Sequence, residues 1–184
     1  MISFSDADLV GVAQPHNDPL IIKCRIDVQN VKRVLINPGR STDIIYKNLF
    51  DKMKGVGIKR TGHPIYSFTG QPIWPLGVAS PNVKLGPKTI TVDFVVVDVE
   101  APFNAILGWT WLGVMKAVPS TFHQKLKFVC NEGVVTVRGS QSSARVCFKG
   151  AVSLTLTEKH PETIDNADIQ LSETVKFNQT LLLS

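Results

Sequence analysis

The sequence predicts a mainly β, mainly antiparallel domain with one or two short helices, and three observations predict it. Apolar residues alternate with charged ones over residues 20–28 (LIIKCRIDV), the signature of a half-buried strand. Wholly apolar runs close two later segments, Val34-Leu35-Ile36 and Val95-Val96-Val97, as in strands buried on both faces. Glycine-bearing hairpin signals stand at Gly70-Gln71 and at Asn131-Glu132-Gly133.

Taken in order, residues 20–28 place Ile22, Cys24, Ile26 and Val28 on one face, and Gln29-Asn30 is the expected two-residue turn. Residues 31–36 return as a second strand that Asn37-Pro38-Gly39 ends. Ser41 or Thr42 then caps a helix expected over 42–54, where Ile44, Ile45, Leu49 and Met53 approximate helical spacing and Gly55 sits at the C-cap. Strand-like pieces 64–69 and 72–78 flank Gly70-Gln71, followed by strands at 83–85, 89–97 and 103–108. One or two helical turns are expected at 109–116, and strands 126–130 and 134–138 form the last hairpin. From about Gly150 the periodicity dissolves. The expected organisation is therefore one domain over 1–150 and an acidic linker or disordered tail over 151–184.

Composition narrows the function classes. At 184 residues, 43% hydrophobic and 19% charged, the chain suits a single soluble domain. No apolar run approaches the ~20 residues that span a bilayer, and the first residues lack a secretory pattern, so an intracellular, cytoplasmic protein without membrane contact is expected. Cys24, Cys130 and Cys147 are odd in number and widely spaced, which fits free thiols in a reducing compartment. His16, His63, His123 and His160 have no ligand spacing, so neither a metal nor a cofactor is expected. Residues 1–150 carry 18 Lys/Arg against 10 Asp/Glu, whereas residues 151–184 carry 2 against 5. The positive residues, Lys125 and Lys127 among them, are dispersed as solvated strand ends without interleaved stacking aromatics, and specific nucleic-acid binding is not expected.

One element recurs: an apolar strand, a glycine, then a short helix. It stands at Val34-Leu35-Ile36-Asn37-Pro38-Gly39 and again at Ala105-Ile106-Leu107-Gly108. In this order, VLINPGRSTDIIYKNLF resembles the active-site segment of a retropepsin-like aspartic peptidase of plant gypsy-class LTR retrotransposon polyproteins. FNAILGWTWL resembles the family's Asn-Ala-Ile-Leu-Gly-Arg segment, and SFTG falls where its flap tip falls. PHNDPLIIKCRI and VPSTFHQKLKF are also similar to these elements, so the resemblance covers about residues 2–150.

The resemblance implies a closed, barrel-like acid-protease fold, a homodimer, and an extended peptide or polyprotein segment as ligand. In the family two subunits each bring one Asp to the dimer axis, where the two carboxylates share a proton. Close like charges split their pKa values, so one acts as base towards water and the other as acid. In this chain the Asp position is Asn37 and the hydroxyl position is Pro38; Gly39, which lets neighbouring loops approach, is kept. A carboxamide neither holds the exchangeable proton nor acts as a base, and proline at the next position blocks deamidation to Asp. The carried-over site is thus Asn37 and Gly39 at the degenerate catalytic motif, with Pro38, Arg40, Phe68, Thr69 and Gly70 against the substrate. Arg40 replaces a small residue beside the axis, and Trp109 replaces the family's arginine. Asp43, expected in a first helical turn, reads as a dipole-stabilising or structural carboxylate and not as a substitute acid. The leading reading is an inactive aspartic-peptidase-like domain. The alternatives are a peptide-binding or dimerisation module, a still-active endopeptidase, and an RNA-binding β domain.

Overall fold

The computed structural model describes residues 1–66 and 70–159. The alternating segment forms β1 (Ile21–Ile26), with Ile22, Cys24 and Ile26 inward. It turns over Asp27-Val28 into β2 (Gln29–Ile36), two residues earlier than expected. Asp27 adopts the left-handed conformation (φ 47°), which a short polar side chain tolerates. Its N–H donates to the Asn82 carbonyl and its Oδ1 accepts from the Asn82 N–H, so bonds to a distant strand fix where the turn falls. Val34, Leu35 and Ile36 are all buried, as the apolar run predicts.

The helix expected over 42–54 is not formed. Asp43–Tyr46 is a strand, β3, and only Lys47–Phe50 makes a helical turn, α1. Ile44 and Ile45 explain the difference: they are adjacent and both buried, and a strand sends neighbours to opposite faces. Ile45 enters the main core, while Ile44 enters a second cluster with Ile21, Leu35, Val97, Ile106 and Ala144. Asp43 accordingly opens a strand and occupies no helical turn.

Strands β4 (Ile65–Tyr66) and β5 (Pro72–Ile73) pair antiparallel, so the expected hairpin is present; Ser67, Phe68 and Thr69 lie outside the described residues. β6 (Gly77–Ala79) and β7 (Asn82–Leu85) follow. The strand expected over 89–97 divides into β8 (Lys88–Thr91) and β9 (Phe94–Val97). β8 pairs with β7 at one end of the sheet while β9 pairs with β6 and β3 at the other, which one straight strand cannot do. Then come β10 (Ala105–Leu107), α2 (Trp109–Met115), β11 (Ala117–Ser120), β12 (Lys125–Cys130) and β13 (Gly133–Arg138).

The main sheet has eight strands in the order β6-β9-β3-β10-β2-β1-β7-β8 and curls into a half-barrel. Its central strands are buried on both faces. The three-stranded sheet β11-β12-β13 contributes Leu126 and Phe128 to the main core together with Trp111 and Met115 of α2. Lys125 and Lys127 of β12 are not the solvated residues expected. Both Nζ atoms reach the Asp8 carboxylate, at 2.9 and 2.8 Å, and pin the N-terminal 3-10 turn Asp6–Leu9 across the sheet. The two ammonium groups hold the Asp8 carboxyl well below the usual carboxylate range.

A helix not anticipated from the sequence, α3 (Gln141–Lys159), runs across the expected boundary at 150; residues 160–184 lie outside those described. The Ser140 hydroxyl accepts from the Ser143 N–H as a cap. Ala144, Cys147 and Ala151 form the buried stripe at helical spacing, and Cys147 donates to the Pro102 carbonyl. The three cysteines are free thiols; burial pushes Cys24 up to about 12, which leaves its thiol protonated at neutral pH. No helix of the described residues is long and apolar enough to cross a membrane.

Candidate functional site

The pairing of three short strands builds the site. β10 lies between β2 and β3, parallel to β2 (Val34↔Ala105, Leu35↔Ile106, Ile36↔Leu107) and antiparallel to β3 (Ala105↔Ile45, Ile106↔Ile44). The chain leaving β2 at Asn37 must therefore cross the end of β10 to enter β3 at Asp43. Residues 37–42 make that crossing, held against residues 107–110 by backbone bonds. Asn37 N–H donates to the Leu107 carbonyl at 2.9 Å, Trp109 N–H donates to the Arg40 carbonyl at 2.8 Å, and Arg40 N–H donates to the Asn37 carbonyl at 3.2 Å. The Thr110 hydroxyl donates to the Ser41 carbonyl at 2.6 Å.

Asn37, the first residue of the crossing, is 5% exposed, the value of a core residue. Its Oδ1 accepts from the Gly39 N–H at 3.0 Å, an Asx turn that Pro38, lacking an N–H, cannot contest. That bond fixes the carboxamide with oxygen towards the loop, and its Nδ2 has no hydrogen-bond partner among the described residues. Pro38 and Gly39 are exposed. Gly39 does not supply the close approach expected of it within the chain: an added Cβ would meet only Asn37 Oδ1, at 3.4 Å. Gly108 does. A Cβ there would sit 2.2 Å from the Arg40 carbonyl oxygen.

Asp43 locks the other end of the crossing. Its carboxylate, 4% exposed, accepts from the Gly108 N–H at 2.7 Å, where α2 begins. The carboxylate thus serves the start of α2, not a helix of its own. Burial pushes its pKa up to about 6, against the lowering effect of the Gly108 bond. An acid whose pKa is raised on folding contributes stability below its unfolded value near 3.8 and loses it as pH rises through about 6. The expected result is that Asp43→Asn, which keeps an acceptor for Gly108, gains on the unaltered chain by roughly 2–3 kcal/mol between pH 4 and pH 7. Urea unfolding of both proteins across that range checks it; parallel curves would contradict the assignment.

Arg40 and the hairpin complete the neighbourhood. The Arg40 guanidinium makes no hydrogen bond or ion pair among the described residues, and its Nε is buried without a partner. It lies close enough to Tyr46 to pull down a phenol pKa that burial raises. Tyr46 packs on the second apolar cluster together with Ile65 of β4 and Ile73 of β5, so Arg40 and the hairpin border the same face of the sheet. Gly70 takes φ +77° just before β5, and nothing lies within 4 Å of an added Cβ. Among the expected site residues, Asn37, Pro38, Gly39 and Arg40 are thus brought together on one crossing, Gly70 belongs to the hairpin, and Phe68 and Thr69 fall outside the described residues. Asp43 is a structural carboxylate, one of the two readings its sequence allows, but its pairing with Gly108 has no sequence signal. The two residues are 65 positions apart, and no local spacing marks them.

No protein-family model matches the chain, and no curated protein matches it in sequence. Solved structures do match. The retroviral protease-like domain of Ddi1 from Leishmania major aligns over 68% of this chain and 96% of its own length, with a TM-score of 0.52 and 21% identity. This chain has a retropepsin-like fold. The EIAV protease, in its complex with the inhibitor HBY-793, aligns over 59% of this chain and 99% of its own length, with a TM-score of 0.50 and 19% identity. Nearly the whole of each of these two chains is therefore matched by part of this one, and at these identities the likeness concerns the fold. Among the described residues no group of three or more His, Cys, Asp or Glu is placed to hold a metal ion.

Proposed function

We propose that this chain is a retrotransposon-derived retropepsin-like domain that is hydrolytically silent and keeps its cleft as a site for an extended peptide, working as a homodimer. The observation that carries this reading is Asn37. It ends β2 as the first residue of the crossing over β10, buried, with its carboxamide oxygen fixed by the Gly39 N–H. In a retropepsin fold this is where the resemblance puts the catalytic aspartate. Two carboxamides at a two-fold axis have no proton to share and no base to offer water, so the acid–base step has no agent. Asp43 does not replace them, because its carboxylate is committed to the Gly108 N–H.

Binding survives the loss of chemistry in this reading. An extended peptide is held by strand-like backbone bonds and side-chain pockets, neither of which needs the dyad. One chain supplies half of a two-fold site, which is why a homodimer belongs to the proposal. The experiment is calorimetric titration of the full chain with an extended peptide, followed by mass analysis of the same mixture. Saturable binding with the peptide recovered intact supports the proposal. New peptide termini would refute the silent centre, and an absence of heat with every peptide would refute the retained cleft.

A further inference from the structure

Resting on the peptide-binding reading, we infer that Arg40 makes this site selective for acidic peptides, by pairing with a carboxylate side chain of the bound segment. Arg40 stands on the crossing with no hydrogen-bond or ion-pair partner for its guanidinium among the described residues. Its backbone is tied at both ends, N–H to the Asn37 carbonyl and carbonyl to the Trp109 N–H, so the direction in which the side chain leaves the crossing is set. Its Nε is buried without a partner, and the rest of the guanidinium has none among the described residues. A buried unpaired donor on a charged group costs more than most surface features, and such a group is stable when an anion completes it.

The nearest carboxylate in sequence does not supply that anion. Asp43 is turned to Gly108, with its pKa pushed up, not down as a guanidinium partner would make it. The neighbour that senses Arg40 is instead the Tyr46 phenol, on the face where Ile65 and Ile73 of the hairpin pack. The cation therefore borders the surface that the hairpin overlies, a few residues from Asn37. The centre where a peptidase of this fold would carry negative charge here carries an amide and a positive charge. A planar guanidinium pairs carboxylates in a two-bond fork, which gives both selectivity and geometry. The occupant that fits is an extended segment with glutamate or aspartate among apolar residues.

The test uses the full chain and two fluorescent ten-residue peptides, one alternating valine with glutamate and the other alternating valine with glutamine. Affinities are measured by polarisation at 150 mM salt for the unaltered chain, for Arg40→Gln, and for Lys54→Gln as an exposed-charge control. The expected result is that the unaltered chain and Lys54→Gln prefer the glutamate peptide by about tenfold, while Arg40→Gln binds both peptides alike. A preference that persists in Arg40→Gln would overturn the inference and assign the selectivity to the net charge of the body. Equal binding of both peptides by the unaltered chain would overturn it while leaving the peptide site standing. If neither peptide binds, the peptide-binding reading falls and this inference falls with it.

Discussion

Placing a carboxylate at position 37 is expected to create a peptidase. A chain carrying Asn37→Asp, Pro38→Ser and Arg40→Ser should cleave an unfolded protein substrate between pH 4 and 7, at a rate at least ~10²–10⁴-fold above the unaltered chain, the span that acid–base catalysis alone supplies. The local geometry favours this. An aspartate at position 37 would keep one oxygen on the Gly39 N–H, where Asn37 Oδ1 now sits at 3.0 Å, and leave its second oxygen where Nδ2 has no partner. Pro38→Ser restores an N–H and a hydroxyl to the crossing. In the proposed homodimer Arg40→Ser would remove one positive charge per subunit near the axis, where two would repel and would also hold the new carboxylates ionised. Single variants separate these contributions: Asn37→Asp alone should be active but weak, and Pro38→Ser alone inert.

The largest effect on stability is expected at Gly108. Its backbone is in an ordinary conformation (φ −93°), so the demand for glycine is one of space. An alanine Cβ would lie 2.2 Å from the Arg40 carbonyl oxygen and 3.1 Å from its carbon, both backbone atoms that cannot swing away. Relief requires separating residues 37–40 from residues 107–109. That would break the Trp109 N–H bond to Arg40 and disturb the Asp43 carboxylate on the Gly108 N–H. Overpacking and a broken bond to a charged group together predict a loss of about 3 kcal/mol or more for Gly108→Ala. Gly113→Ala is the matched control: it lies in α2 with nothing within 4 Å of the added Cβ, and it should be neutral or stabilising by up to ~1 kcal/mol. Equal denaturation midpoints for the two variants would show that the crossing gives way more easily than its bonds imply.

What the sequence revealed and what it hid divide along physical lines. Alternation and apolar runs were legible where a strand's own side chains decide its environment, as in β1 with Ile22, Cys24 and Ile26, or at Val34-Leu35-Ile36 in β2. The hairpins at β4–β5 and β12–β13 were legible because their turns carry glycine. The helix expected at 42–54 failed because Ile44 and Ile45 satisfy a helical pattern loosely, while the second apolar cluster that claims Ile44 is assembled from Ile21, Leu35, Val97, Ile106 and Ala144, far away in the chain. α3 escaped notice because its buried stripe is made of Ala144, Cys147 and Ala151, small residues with little hydrophobic signal.

The candidate site divides in the same way. Asn37, Pro38 and Arg40 stand out by residue identity as departures from the pattern the sequence resembles, and the silent centre proposed here rests on that resemblance. The support of the crossing does not stand out in this way. It depends on β10 lying between β2 and β3, which brings Gly108 to Arg40 and Asp43, and topology of that kind leaves no mark on local spacing. The close backbone approach seen within the chain is at Gly108, which for the same reason the sequence did not mark.

The most direct measurement is a cleavage assay of the unaltered full chain beside the triple variant, on one unfolded protein substrate from pH 4 to 7, with and without a transition-state-mimic inhibitor of aspartic peptidases. Inhibitor-sensitive cleavage by the variant and none by the unaltered chain is the expected result. Inhibitor-sensitive cleavage by the unaltered chain would contradict it, since a carboxylate other than one at position 37 would then be activating the water.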